Sequence, residues 1–138
     1  MTRTREGVLD TSTVILLSRM TDPSTLPDEP SITTITLAEL SVGPLVTDKE
    51  EERAARLAHL QQAESDFDAI AFDAAAARAF GRVAAALRRS GRKPAARAYD
   101  ALIASVAIAE DLPLYTCNPQ DFTGIPGLDL RAVPHPDH

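Results

Sequence analysis

Four acids in this chain sit where a carboxylate can do chemistry: Asp10, Glu39, Asp100 and Asp121. Each follows or heads an apolar segment rather than lying in a charged run. Four carboxylates brought to one pocket raise one another's proton affinity and cannot all stay ionised without a cation. Oxygen ligands of this kind select Mg²⁺ or Mn²⁺. A divalent ion held by carboxylates orients a water, makes it more acidic and offsets charge on a phosphodiester under in-line attack. The chemistry to which such a set is suited is metal-dependent cleavage of nucleic acid. Each acid also has a plainer reading: a helix cap for Asp10, a solvated helix position for Glu39, a complement to the helix dipole for Asp100, a turn with Gly124 for Asp121.

Short strands and helices must position them. Gly7 to Asp10 reads as a strand arriving at an acid, and Thr11, Ser12 and Thr13 offer hydroxyls before a helix through Val14 to Leu17. Pro23, Pro27 and Pro30 make 21–30 a loop. Ser31 to Ile35 is β-branched and predicts a second strand. Thr36 to Val42 turns helical until Gly43 and Pro44 stop it. Asp48 to Ala63 predicts a charged amphipathic helix with Ala54, Leu57, Ala58 and Leu60 or Gln61 inward. A third strand is expected within Phe67 to Phe72, then a long helix from Asp73 to Ser90, closed by Gly91. The segment 97–109 is apolar and Ala-rich, with Leu102, Ile103, Val106 and Ala107 recurring at helical spacing and Asp100 at its head. Leu112 to Thr116 and Leu128 to Val133 predict the remaining strands, the last at an edge, and the tail 134–138 is expected to fray.

Strands alternating with helices imply βαβ units and a mainly parallel sheet. Ligands gather at the carboxyl ends of such strands. Asp10 ends the first strand, Glu39 lies one turn into the helix after the second, and Asn118 and Asp121 follow the fourth.

With 138 residues, 44% of them hydrophobic and 25% charged, the chain is expected to form one α/β domain with a real core. No apolar run reaches the length of a membrane span, no leader-like segment precedes Asp10, and the single Cys117 makes neither an internal disulfide nor a zinc site; the cytoplasm is the expected compartment. The net charge of −6 argues against a general polyanion binder. Its distribution is uneven, however. Between Asp73 and Asp100 there is no acid, while Arg78, Arg82, Arg88, Arg89, Arg92, Lys93 and Arg97 all fall there. That zone reads as a solvated helix face or as a polyanion-contacting surface.

Four blocks of the sequence together resemble the signature blocks of PIN-domain proteins, most closely the VapC-type toxins of bacterial toxin–antitoxin pairs. They are Leu9-Asp10-Thr11-Ser12, Ile35-Thr36-Leu37-Ala38-Glu39-Leu40, Tyr99-Asp100-Ala101-Leu102-Ile103-Ala104 and Thr116-Cys117-Asn118-Pro119-Gln120-Asp121-Phe122. The resemblance implies a three-layer α/β/α fold over residues 1–133, with a central, mainly parallel sheet of about five strands. It implies a Mg²⁺- or Mn²⁺-dependent ribonuclease, a homodimer, and a cognate VapB-type antitoxin. Asp10 and Asp100 match the chief metal ligands, and Glu39 matches the second acid, which helps hold the metal or position water. Asp121 matches the fourth acid and Asn118 the polar residue beside it. Thr11 or Ser12 would orient Asp10 or a water, and Thr116 would support the fourth corner. Cys117 departs from the family, which often carries a basic or other polar residue there.

Within that resemblance, Arg88, Arg89, Arg92, Lys93 and Arg97 are candidates to contact RNA phosphates or an antitoxin's acidic tail. Aromatic residues make up only 4% of the chain, so recognition would lean on RNA shape and backbone rather than stacking. A haloacid-dehalogenase-type phosphatase is excluded because Ser12 stands where its second acid belongs. A receiver domain is excluded because neither Lys49 nor Lys93 follows a predicted strand. The remaining rival is a PIN-like protein that binds RNA or a partner without cutting. Metal-dependent cleavage lost in Asp10→Asn or Asp100→Asn separates the two.

Overall fold

The computed structural model describes residues 5–92 and 97–137. Five strands form one sheet in the order β3-β2-β1-β4-β5, and every neighbouring pair is parallel. They are β1 (Glu6–Leu9), β2 (Glu29–Thr33), β3 (Ala69–Ile70), β4 (Leu114–Thr116) and β5 (Leu130–Ala132). The helices are α1 (Thr11–Leu16), α2 (Thr34–Val42), α3 (Glu50–Asp66), α4 (Ala74–Arg89) and α5 (Ala98–Ala109).

Strand alternation divides the core between two faces. Val8 and Leu114 point to one side and pack on Ile103, Ala104 and Ala107 of α5 and on Phe122. Their chain neighbours Leu9 and Tyr115 point to the other and meet Val14 and Leu17 of the α1 region, Leu26, Phe67 and Val133. A sheet covered on both faces needs strands that are apolar in both phases, and the adjacent pairs Val8-Leu9 of β1 and Leu114-Tyr115 of β4 meet that need. Helix α4 buries Ala76, Ala79, Val83 and Leu87, spaced three or four apart, with Val83 and Leu87 packed in one cluster with Ala101 and Ile108 of α5. Asp73 caps its start through the Ala76 N–H, and Gly91 beyond its end takes a positive φ of 82°.

Three expectations shift. The second strand starts earlier, at Glu29, and ends at Thr33, because the Thr33 hydroxyl caps α2 by accepting from the Thr36 N–H and so draws Thr34 and Ile35 into the helix. Pro30 is tolerated in this strand beside its start. The third strand contracts to two residues, with Phe67 outside it packed against α1 and α2 core residues.

The third shift is a correction to α3. Ala54 and Ala58 are exposed and Leu57 is 42% exposed, while Leu60 and Ala63 face the core. The Arg56 guanidinium donates to the Gly43 carbonyl at 2.9 Å, and this tether together with Phe67 sets the rotation of the helix. Residues 134–137 lie beyond the last strand, where Arg19 pairs with Asp137. No helix among the described residues is long and apolar enough to cross a membrane.

Candidate active site

The parallel sheet delivers the candidate residues to one edge. Asp10 follows β1, α2 with Glu39 follows β2, and Thr116 ends β4 with Asn118 and Asp121 just beyond. Strand β4 runs beside β1 with Leu9 opposite Tyr115, so Asp10 and Thr116 come side by side.

Asp10 is only 3% exposed and is the N-cap of α1. Its Oδ1 accepts from the Thr13 N–H at 3.2 Å and from the Thr13 hydroxyl; its Oδ2 accepts from Ser12 Oγ at 3.0 Å and Thr116 Oγ1 at 2.9 Å. Burial pushes its proton affinity up, and these donors pull it back only in part. The capping role and the place in the site thus coexist in one side chain.

Glu39 accepts from Thr11 Oγ1 at 2.7 Å, and the same hydroxyl lies 3.0 Å from Thr36 Oγ1. Half-burial and the nearby charge of Asp10 raise the Glu39 carboxyl, against the Thr11 bond. Thr11 therefore attends Glu39, and Ser12 attends Asp10. The Asn118 side chain serves the first turn of α1: its Nδ2 donates to Ser12 Oγ at 3.0 Å, while its N–H donates to Thr116 Oγ1 at 3.0 Å. The Cys117 thiol is buried against Thr13 and Ser12.

Asp100 lies in the first turn of α5. Its carboxyl is raised to about 6 by burial and by the charges of Asp121, Asp10 and Glu39, with Arg97 opposing them. Asp121, in the short 3₁₀ turn Pro119–Phe122, pairs with Arg97. The charges of the other three acids thus converge on Asp100. Among the described residues, though, no three acidic, histidine or cysteine side chains stand close enough to make a finished metal cage. An open set of oxygen donors fits Mg²⁺, which keeps several of its waters and uses few protein carboxylates.

The basic candidates separate. Arg88 and Arg89 are exposed at the end of α4. Arg92 donates to the Thr123 carbonyl and, at 2.7 Å, to Thr123 Oγ1. Arg97 meets Asp121, and Lys93 lies outside the described residues.

Sequence reasoning missed two features. Thr13 braces Asp10 twice and also accepts from the Cys117 N–H at 3.1 Å. Its place three residues after a capping acid was the available signal. The other is a groove of about 380 Å³ lined by Thr11, Glu39, Ile15, Leu40, Arg56 and His59, which no local pattern announces.

Residues 8–127 match the PIN domain. The chain is 39% identical over 123 residues to Ribonuclease VapC5 of Mycobacterium tuberculosis, covering 88% of each. It is 29% identical over 133 residues to Ribonuclease VapC of Rickettsia bellii, covering 94% of this chain and 98% of the other. The crystal structure of VapBC-5 from M. tuberculosis, described as a member of the VapBC family of toxin–antitoxin systems, superposes with a TM-score of 0.78 at 36% identity, over 93% of this chain and 97% of that one. With the parallel five-stranded sheet and the ordered blocks of acids, these likenesses make the chain a member of the PIN-domain family.

Proposed function

We propose that this chain is a Mg²⁺- or Mn²⁺-dependent endoribonuclease that acts as the toxin of a toxin–antitoxin pair. The observation that supports it most directly is that the charges of Asp10, Glu39 and Asp121 all reach Asp100 at the head of α5, with Asp10 and Glu39 following β1 and β2 at the carboxyl edge of the sheet. Such a concentration of negative charge repels RNA unless a cation accompanies it, so it suits cutting rather than passive binding.

In this reading Asp10 and Asp100 are the chief metal ligands, Glu39 helps hold the metal or position the attacking water, and Asp121 is the fourth acid. When bound, the ion supplies a more acidic water and offsets charge on the phosphodiester. Thr13, Ser12 and Thr116 keep the buried Asp10 carboxylate in one orientation. Thr11 fixes the Glu39 rotamer by its 2.7 Å bond. Ser12 is in turn held by Asn118, so the first turn of α1 and the end of β4 form one connected polar frame. A VapB-type antitoxin is the cognate partner and a homodimer the working state; the likeness to a VapBC toxin–antitoxin structure supports the antitoxin.

The test is incubation of structured RNA with purified protein under Mg²⁺ or Mn²⁺, with chelator as control. The wild type cuts, chelator abolishes cutting, and Asp10→Asn and Asp100→Asn each lower it by about a hundredfold or more. Cutting by both variants at the wild-type rate, or cutting that persists in chelator, overturns the reading.

A further inference from the structure

A cluster of acids that must receive a phosphate needs positive charge from the chain at its rim. Among the described residues, Arg97 is the cation whose charge acts on Asp100, where it opposes the acids. Its Nη1 donates to Asp121 Oδ1. Neither Asp10 nor Glu39 has a cation among the groups that shift it.

The pair is not there for stability. Its side chains are 43% and 33% exposed, and an ion pair that wet contributes little to folding. What the pair does is fix a direction. Arg97 stands at the N-cap position of α5, where a guanidinium has no acceptor to offer the helix, and its side chain reaches to the turn that carries Asp121. Arg92 reaches the same turn through Thr123, so the Pro119–Thr123 turn gathers both arginines at the site's edge. A guanidinium carries five N–H donors in a planar fork. Asp121 engages Nη1, which leaves donors for the oxygens of a phosphodiester in the bidentate manner that arginine favours.

We propose that Arg97 is the phosphate-binding residue of this site, and that Asp121 acts by positioning Arg97 rather than as a metal ligand. The inference rests on the ribonuclease reading and assigns a residue to the RNA backbone within it.

Three readouts test it. In calorimetry of the metal-free protein with Mn²⁺ and no RNA, Asp121→Asn and Arg97→Gln stay within about threefold of wild type, while Asp100→Asn loses at least about tenfold. In RNA binding measured in chelator, Arg97→Gln lowers the slope of log K against log salt by about one, and Arg97→Lys restores it. In cleavage, Arg97→Gln and Asp121→Asn each lose about tenfold, and the double variant loses no more than either single one. Loss of Mn²⁺ binding in Asp121→Asn equal to that of Asp100→Asn overturns the proposal, as do additive losses in the double variant. If Asp10→Asn is inactive but Arg97→Gln cuts like wild type, the ribonuclease reading stands and this assignment alone falls. If Asp10→Asn itself cuts like wild type, both fall.

Discussion

Thr116 Oγ1 donates to Asp10 Oδ2 across 2.9 Å, linking the ends of two adjacent strands that lie 106 positions apart in the chain. The parallel register of β1 with β4 makes the meeting unavoidable, since Leu9 is opposite Tyr115. Replacing Thr116 by Val keeps the shape and removes the donor from a buried carboxylate. The expected result is a loss of about 1–2 kcal/mol in urea denaturation at neutral pH, with Thr116→Ser retaining most of the stability. Equal stability of the Val variant and wild type would show that the bond contributes nothing there.

The raised Asp100 carboxyl gives a signed pH dependence. Its value in the fold, about 6, exceeds the ordinary 3.8, so folding takes up a proton between the two. The metal-free protein therefore loses stability as pH rises through that window, and the deficit is complete above about 6. Asp10 and Glu39 are raised in the same direction. Asp100→Asn removes this contribution, so its melting temperature matches wild type at acid pH and exceeds it at neutral pH. Mn²⁺ added at neutral pH should raise the wild-type melting temperature more than that of the variant. Parallel pH profiles for the two proteins are the contrary outcome.

Thr11 tests the role of Glu39 without removing a charge. Its hydroxyl is half-buried between Glu39 and Thr36, and Thr11→Val leaves the carboxylate free to swing. Cleavage is expected to fall about tenfold while the melting temperature changes little, as for a misplaced catalytic group. Unchanged cleavage would mean that the Glu39 orientation is fixed by other means.

Gly7 is required by a close approach rather than by its backbone angles. A Cβ there would overlap the Tyr115 ring and sit 3.2 Å from the Pro27 Cβ. Tyr115 is 3% exposed and packed against Leu9 and Val133, so it has little room to yield. Gly7→Ala is expected to lower stability by about 1–3 kcal/mol in denaturant titration.

The sequence by itself determined the strand and helix alternation, the parallel sheet and the acids after strands, because these follow from periodicity and capping between residues a few positions apart. Asp10 before Thr13 and Asp73 before Ala76 are of this kind. So is the buried stripe of α4, whose apolar residues recur at a regular spacing on a charged helix. Helix α3 shows where this stops. Its alanines lie on several sides, so no strong stripe selects a face, and the Arg56 bond to Gly43 decides the rotation from another element. The partners of the acids were settled by the tertiary structure too. Thr116 reaches Asp10 because β4 inserts beside β1, and Arg97 reaches Asp121 because the end of β4 and the start of α5 come together. Strand order joins residues far apart in the chain, and nothing in the local spacing of a sequence encodes which of them will meet.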